Sequence, residues 1–257
     1  MKQESDAREA PLLEQAERFD REAIDYDARH TDIALQEYRD RFYRQRLCDF
    51  DMQGTKVLDA MCATGIDTPF LIARGADVQG LDISKNCAAV YEKRFGKPCA
   101  VASIHETSFD DSSFDIVYVS GGLHHIAHLL DDAMAEIFRI LKPGGIFCFT
   151  EPNADSWIDK VRKTWYSSSE KFGSTERALS YRHDLLPFLS MGFEEEDYFT
   201  GGNVAYMLIF QSHNITSSTS ILQRLKRPAF LLERMIDKIP YSPSFFLSAR
   251  WRKTRSA

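Results

Sequence analysis

Short apolar segments alternate with helix-forming segments between residues 56 and 151, and this alternation constrains the fold more than any other feature. The apolar segments are KVLDAM, DVQGLDIS, PCAVASI, SFDIVYVSG and GIFCFTE. The helical patterns among them are DTPFLIARGA, KNCAAVYEKRFG and HIAHLLDDAMAEIFRI, the second with Ser84 as its N-cap and Gly96 at its end. Such alternation is typical of parallel β-α-β units, so we predict an α/β fold with a doubly wound, mostly parallel sheet.

The two flanking regions follow a different pattern. Residues 12–50 carry apolar residues at helical spacing and predict two helices. Beyond residue 151 we expect a helical insertion, then a helix, a glycine stop and a strand, and finally a closing strand in SFFLSARWRK. Residues 203–239 predict helices with breaks at Pro228 and Pro240. About 40 residues between the last two strands are too many for a bare loop, so they predict a helical cap.

Composition and charge exclude several classes of protein. No apolar run approaches the roughly 18 residues of a membrane span, and the charged N-terminus lacks the apolar stretch of a signal peptide. We therefore expect a cytoplasmic protein. Five cysteines with no C-x-x-C pair favour buried free thiols over disulfides or a cysteine-rich zinc site.

Charge is distributed unevenly along the chain. Residues 1–212 hold 23 basic and 36 acidic side chains, whereas residues 213–257 hold nine basic and two acidic ones. The acidic body argues against nucleic-acid binding. The basic C-terminal region is compatible with an anionic substrate, a membrane surface, docking on the acidic body, or simple solvation.

Candidate ligand-binding residues follow the predicted strands. In an open α/β sheet, ligands bind at the carboxyl ends of the strands. Asp59 lies in the segment VLDAMCATGID, and Asp82 ends the next strand, where a carboxylate can accept hydrogen bonds from a ribose diol. Asp82 could instead cap the following helix, but Ser84 can do that. The spacing thus predicts an adenosine-containing ligand, although M-C-A-T-G does not match the glycine pattern of dinucleotide-binding loops.

Four ordered segments resemble the Rossmann-like S-adenosylmethionine-dependent methyltransferases, near the branch that modifies quinones, glycans and other small molecules. The segments are VLDAMCATG, VQGLDIS, TSFDDSSFDIVYVSGGLHHI and EIFRILKPGGIFCFTEPN, over residues 57–153. The resemblance implies a seven-stranded sheet whose last strand is antiparallel, with S-adenosylmethionine as cofactor. It further implies a helical lid over residues 1–50, a cofactor-binding core over residues 51–152, and the remainder of the same domain over residues 153–257.

The resemblance also implies roles for individual residues. The backbone of Ala60 to Ala63, with Gly65, would hold the methionine part of the cofactor, and Asp59 would organise that loop. Asp82 would bind the ribose, Ile83 would pack on the adenine, and Ser120 would contact the methionine end. The remaining residues implied to contact the cofactor are Ser103 and Ile104 beside the adenine and Tyr26 in the lid. Tyr26 could equally be a packing residue.

Three of these positions depart from the family pattern. Met61 and Ala63 stand where the loop ordinarily has glycine, and side chains there restrict positive φ angles. We expect alanine to cost little if its φ is negative, and methionine to point away from the ligand. Ser103 replaces an acidic residue and can accept a hydrogen bond only without charge assistance. We expect cofactor binding to survive, weakened.

GGLHHIAHL supplies the candidate catalytic residues. His124 or His125 could accept the proton of an acceptor hydroxyl, or one of them could only pack at the start of a helix. Because no cysteine or acidic ligand follows at suitable spacing, we predict no metal at His124 and His128. Glu151 and Asn153, after the fifth strand of the core, are candidates to bind the acceptor.

The acceptor itself is less constrained. The segment ILQRLKRPAFLLERMIDKI predicts a basic amphipathic helix that could touch a membrane, cover the substrate, form a dimer contact or pack on the sheet. We expect methyl transfer to a small molecule, at oxygen, with an anionic or lipid-linked acceptor favoured. The alternatives are non-methylating chemistry with the same cofactor and a non-catalytic binding subunit.

Overall fold

The structure of the protein is a computed structural model, and it describes residues 10–23, 32–160, 163, 176–210 and 219–254. Within these residues, no helix is both long and apolar enough to cross a membrane. The five cysteines are buried and free, as the sequence predicts.

Seven strands form one sheet in the order β3-β2-β1-β4-β5-β7-β6. Strands β1 to β5 pair in parallel, and β7 runs antiparallel to both β5 and β6. The strands are β1 Lys56–Ala60, β2 Asp77–Asp82, β3 Cys99–Val101, β4 Phe114–Ser120, β5 Leu141–Pro152, β6 Phe193–Gly201 and β7 Phe246–Lys253. The predicted doubly wound sheet and its antiparallel last strand are both confirmed.

Helices cover both faces of this sheet. The α-helices are α1 (residues 10–23), α2 Ile33–Arg39, α3 Gln45–Leu47, α4 Thr68–Ala73, α5 Lys85–Phe95, α6 Leu130–Ile140 and α7 Thr219–Ile236. A π-helical turn, Asp40–Arg44, joins α2 to α3, and a 3-10 segment, Leu123–Leu129, leads into α6. Shorter π and 3-10 turns lie at Tyr181–Leu185, Leu186–Met191 and Tyr206–Phe210.

The two faces of the sheet bury separate apolar clusters. On one face, α6 packs with Phe147, Phe149 and Trp251, all of them fully buried. The other cluster joins Tyr38 of α2 to Phe230 of α7. Apolar residues on both sides of the strands produce the near-continuous hydrophobic runs seen in the sequence.

Capping residues set both ends of α5, whereas a predicted helix break in α7 is absent. The Ser84 hydroxyl accepts the Cys87 N–H at the start of α5, and Gly96 ends that helix in the left-handed conformation, as predicted. The predicted break at Pro228 is wrong, because α7 continues through this residue. The interval between β6 and β7 does carry the predicted helical cap.

Candidate functional site

A cavity of about 510 Å³ opens at the carboxyl ends of β1, β2 and β4. This figure includes space that is open to solvent. Residues from the strand ends, the loops after them and α1 line it: Gln15, Phe19, Met61, Ala63, Asp82, Ile83, Ala102, Ser103, Ile104, Ser120, Gly121, Gly122, His125 and Ile126. Seven of the residues predicted to contact the cofactor therefore share one cavity with one of the two predicted catalytic histidines.

The loop after β1 has positive φ angles, which favour glycine, at two residues that are not glycine. Met61 and Ala63 have φ angles of 56° and 47°, so the condition under which alanine would cost little, a negative φ, is not met. A non-glycine residue in this region carries strain of about 1–2 kcal/mol. Met61 does not point away from the ligand site either: it lines the cavity, and its sulfur packs against Gly122, where an added Cβ would lie 2.7 Å from it.

Two backbone N–H groups of this loop already have partners. The Cys62 N–H donates to the Leu81 carbonyl (3.1 Å), and the Ala63 N–H donates to the Asp82 carboxylate (2.7 Å). Neither group is open to a ligand in this arrangement. The loop therefore contributes to the cavity through its shape and side chains, rather than through those two donors.

Asp82 links the loop to β2 and α5. Its second carboxylate oxygen accepts the Ser84 N–H (2.9 Å), while Ser84 itself caps the helix. Burial raises the pKa of Asp82 to about 6, although the N–H groups of Ser84 and Ala63 oppose that shift. The carboxylate is thus buried, lines the cavity and is ionised above about pH 6.

Asp59, near the end of β1, is bonded to the residue that follows the loop. It does not line the cavity, and its carboxylate accepts the Thr68 hydroxyl at the start of α4 (2.5 Å). Burial and the nearby Asp67 raise the pKa of Asp59 to about 8. Ala60 and Gly65 also stay outside the lining. Gly65, with a φ of 82°, packs its Cα against the rings of Tyr91 and Phe95.

At the position that is acidic in the family, the structure shows a serine–histidine pair. The Ser103 hydroxyl lies 2.7 Å from His105 Nδ1, and Ser103 lines the cavity with Ile83 and Ile104. His105 is a residue that our sequence reasoning missed. The spacing Ser-x-His in the segment after β3 is the one signal that could have indicated it.

Glu151 and Asn153 do not line the cavity, which argues against their predicted contact with the acceptor. Glu151 is buried and accepts the N–H groups of Gly122 (2.9 Å) and Leu123 (2.8 Å) at the start of the 3-10 segment, as well as the His124 imidazole. Asn153 is also buried, and its side-chain amide donates to Ser244 (2.9 Å). Glu151 thus holds the backbone that follows β4, and Asn153 connects the end of β5 to the segment before β7.

The two histidines meet different carboxylates. His124 Nδ1 lies 2.8 Å from Glu151, whereas His125 Nδ1 lies 3.0 Å from Glu176, and the two rings are 4.0 Å apart between centroids. Burial and the neighbouring His124 lower the pKa of His125. Of the two, only His125 lines the cavity.

Glu176 corrects our reason for excluding a metal. His124, His125 and Glu176 offer ligand atoms within 4.8 Å of one another, so an acidic residue does join the histidines, from a distant part of the chain. However, Arg18 of α1 lies 2.6 Å from the same carboxylate. Burial raises the pKa of Glu176, but His125 and Arg18 outweigh it and lower the value to about 2. The Arg18 guanidinium thus already supplies the positive charge that a metal ion would bring to Glu176.

Helix α1 closes one side of the cavity. Gln15 and Phe19 line it, and Asp20 accepts hydrogen bonds from the Ser84 hydroxyl (2.5 Å) and the Asn86 N–H (3.0 Å). Sequence reasoning predicted a lid here but named only Tyr26, which lies outside the described residues. Gln15, Phe19, Arg18 and Glu176 carry no local motif, so only the fold brings them to the site.

Comparisons with known proteins agree with this geometry. Residues 58–149 match the family described as methyltransferase domain. A ubiquinone/menaquinone biosynthesis C-methyltransferase UbiE from Bartonella tribocorum is 33% identical over 123 residues, 43% of this chain and 46% of the relative. A demethylmenaquinone methyltransferase from Staphylococcus aureus is 33% identical over 131 residues, 47% of this chain and 53% of the relative. The chain thus spans about half the length of these curated relatives.

Residues 58–149 of this chain thus carry a methyltransferase domain.

Solved structures share the fold of this chain. A Haloferax volcanii protein solved with the Trm112 methyltransferase activator has a TM-score of 0.64 at 17% identity, over 92% of this chain and 98% of that one. An S-adenosylmethionine-dependent methyltransferase from Methanosarcina mazei has a TM-score of 0.57 at 16% identity, over 81% and 96%. The [4+2]-cyclase SpnF has a TM-score of 0.54 at 18% identity, over 82% and 79%. At these identities the likeness shows the fold alone.

The cavity residues fit the family's cofactor. Asp82 offers a buried carboxylate for a pair of hydroxyls, and the lining beside it is apolar at Ile83, Ala102 and Ile104. A carboxylate at the end of the second strand next to an apolar slot suits a ribose that carries a purine base. The departures at Met61 and Ala63 leave the cavity open, since both residues adopt the φ angles that glycine would.

Proposed function

We propose that this chain transfers the methyl group of S-adenosylmethionine to a hydroxyl-bearing small molecule, with the new bond formed at oxygen. One observation carries the proposal: Asp82 at the end of β2 and His125 after β4 line the same cavity. The first suits the cofactor's ribose, and the second is a proton acceptor. When bound, S-adenosylmethionine supplies a methyl group on a positively charged sulfur, which leaves as a neutral thioether.

Cofactor binding is assigned to the β1–β2 side of the cavity. Asp82 would accept the ribose hydroxyls, and Ile83 and Ile104 would flank the base. The Ser103 hydroxyl, held by His105, would accept a hydrogen bond from the base without the charge that a carboxylate adds. Met61 and Ser120 would contact the methionine portion.

His125 is proposed as the general base. Its Nδ1 lies beside Glu176, and a proton on Nδ1 leaves Nε2 as the acceptor. Because burial lowers its pKa, the ring is neutral near pH 7 and ready to take the proton of an acceptor hydroxyl. Arg18 holds Glu176 ionised, so the resulting imidazolium would be stabilised.

Exclusion of water is assigned to α1 as a lid. Its contacts to Ser84 and Glu176 join the helix to both sides of the cavity. Closing the site would align the nucleophile with the methyl carbon and the sulfur, and alignment is the main demand of this reaction. This interpretation retains the division into a lid (1–50), a core (51–152) and a remainder (153–257).

The acceptor is proposed to be apolar or lipid-linked rather than anionic. Among the described residues that line the cavity, none is a lysine or an arginine, and Asp82 and His125 are the ionisable ones. The relatives named above act on quinone precursors by name, one of them at carbon. Methylation at a ring carbon made nucleophilic by loss of the adjacent hydroxyl proton is therefore the second candidate. Either reaction fits a cytoplasmic enzyme with reduced thiols.

A labelled-methyl screen tests this function. The full chain is incubated with S-adenosylmethionine carrying a ¹³C methyl group and with panels of phenols, hydroquinones and enols, and the products are read by NMR. We expect a methoxy signal that depends on His125. A ring-methyl signal would support the second candidate instead. Absence of label from every acceptor, by a protein that binds the cofactor, would contradict transfer to hydroxyl-bearing small molecules.

A further inference from the structure

Helix α7 exposes an apolar stripe on the side that faces away from the sheet. Its inner side buries Ala229 and Phe230. On the outer side, Leu231 is 63% exposed and Met235 is 59% exposed, with Leu225 and Leu232 beside them at 45% and 43%. A helix that packs only on a sheet has one apolar face, so a second, exposed one requires another explanation.

The charges of α7 are sorted between the two sides. Glu233 is buried and accepts the Tyr38 hydroxyl (2.6 Å), whereas Asp237, just beyond the helix, is exposed and accepts the Asn203 amide (2.7 Å). Four basic side chains are exposed: Arg224, Arg227, Arg234 and Lys238. Within the described parts of the chain, none of these four forms an ion pair. The exposed charges of α7 itself are therefore basic, and Asp237 beyond its end is already bonded to Asn203.

Two exposed aromatic residues adjoin the end of this helix. Tyr241 is 96% exposed on a backbone with a φ of 61°, and the Trp157 indole N–H donates to its carbonyl (3.2 Å). Trp157 is itself 56% exposed. Trp and Tyr are the residues enriched at the boundary between lipid and water.

We propose that the outer surface of α7, with Trp157 and Tyr241, docks on an anionic lipid bilayer. Apolar side chains would enter the boundary between headgroups and acyl chains, and the four basic side chains would meet the anionic headgroups. A second copy of this chain joined through the same patch would bring basic groups together without acidic partners on that surface. The lipid surface supplies both chemistries that the patch offers.

The patch also lies at the functional edge of the sheet. Trp157 follows the carboxyl end of β5, and Tyr241 precedes β7, whose first residue, Phe246, pairs with Pro152 at that same end. The cavity opens at the carboxyl ends of β1, β2 and β4 in the same sheet. Docking would therefore hold the edge that carries the cavity close to the bilayer. The docking itself does not depend on the proposed methyl transfer.

Vesicle co-sedimentation of the full chain tests the docking. Vesicles are made of phosphatidylcholine alone or of phosphatidylcholine with phosphatidylserine. We expect binding to the anionic vesicles that is at least about tenfold stronger than to the neutral ones and that weakens with added salt. The double variants Leu231→Ser/Met235→Ser and Arg234→Ser/Lys238→Ser should each weaken it by about tenfold. Ile72→Ser on α4, which removes a 38% exposed apolar side chain outside the patch, should leave it unchanged.

Circular dichroism establishes that each variant is folded, and the substituted side chains are exposed. Binding of the wild type to neither vesicle would overturn the proposal. So would equal binding by the patch variants and Ile72→Ser. Sedimentation velocity provides a separate readout: a dimer that the patch variants dissociate, with no vesicle binding, would assign the surface to a second copy of the chain instead.

Discussion

The β1–β2 side and the β4–β5 side of the cavity are built in different ways. On the first side, Asp82 and the loop around Ala63 lie within one β-α-β unit, and a carboxylate–amide hydrogen bond connects them directly. On the second side, His125 depends on Glu176 and Arg18, which are distant in sequence. Glu151, which seemed placed for the acceptor, instead secures the backbone before His125.

The difference teaches that local chain geometry encodes the cofactor side, whereas tertiary contacts assemble the acceptor side. Substitutions on the first side should change affinity for the cofactor with little effect on the reaction step. Substitutions on the second side should affect turnover or stability without changing that affinity. The predictions below test this separation.

The largest effect is expected at the proposed base. His125→Ala should lower turnover by roughly 10²–10⁴-fold, because His125 is the imidazole among the described residues that line the cavity. His128→Ala, an exposed histidine of the same 3-10 segment, is the matched control and should leave turnover unchanged. Steady-state kinetics with the identified acceptor measure both variants. Equal turnover in the two variants would show that His125 is not the general base.

The pH profile of the wild type sharpens this prediction. Because burial and His124 lower the pKa of His125, the ring stays neutral to a lower pH than a free histidine does. Turnover should therefore persist below pH 6.5 and fall only at more acidic pH. A fall centred above pH 6.5 would require a different titrating group.

A smaller effect, on affinity, is expected at the end of β2. Asp82→Ala should weaken S-adenosylhomocysteine binding by about 100-fold, since charge-assisted hydrogen bonds to the ribose and to the Ala63 N–H are lost together. Asp77→Ala at the start of the same strand is the control, because Asp77 is exposed and pairs only with Lys97 at the surface. Calorimetry compares them. If the two variants bind equally, Asp82 does not contact the ligand.

Glu151→Gln should affect stability rather than affinity. The amide cannot accept the several N–H groups that the buried carboxylate now accepts, so we expect a loss of about 2–3 kcal/mol in the free energy of unfolding. Urea unfolding measures it against Glu194→Gln, which changes an exposed glutamate of β6. If Glu151→Gln kept the stability of the wild type but lost turnover, Glu151 would contact the acceptor, as the sequence predicted.

The smallest effect is expected in the loop after β1. Ala63→Gly relieves the positive φ but loses a buried methyl group that packs near Ala23 and Cys87, so the two effects nearly cancel. Ala76→Gly, also buried but without a positive φ, should be destabilising. We expect Ala63→Gly to be about 1 kcal/mol less costly than Ala76→Gly. Equal costs would mean that the loop carries no strain.

Much of the fold follows from the sequence because its signals are local. Apolar runs fix the strands, and Ser84 and Gly96 set the ends of α5 by capping alone. The number of strands and the antiparallel β7 came from family resemblance. The predicted helix break at Pro228 is wrong because a long helix tolerates a proline when other contacts hold that helix. Phe230 and Glu233 make such contacts here.

The sequence predicted the site residues only where they belong to one local motif. Met61, Ala63, Asp82 and Ser103 all reach the cavity, yet the φ angles of the loop could not be inferred from residue identity. Glu151 illustrates the limit: its place at the end of the fifth strand suggested a carboxylate open to the acceptor, but it accepts backbone N–H groups of the segment after β4. Partners far apart in the chain, such as Arg18 and Glu176, become visible only in the folded structure.

Calorimetric titration of the wild-type chain with S-adenosylmethionine and S-adenosylhomocysteine tests the central claim most directly. The claim is that one cavity at the carboxyl ends of β1, β2 and β4 holds this cofactor despite side chains at Met61 and Ala63. The account predicts that both ligands bind, at one site per chain, and that each prevents binding of the other. No binding of either ligand by the folded protein would contradict it.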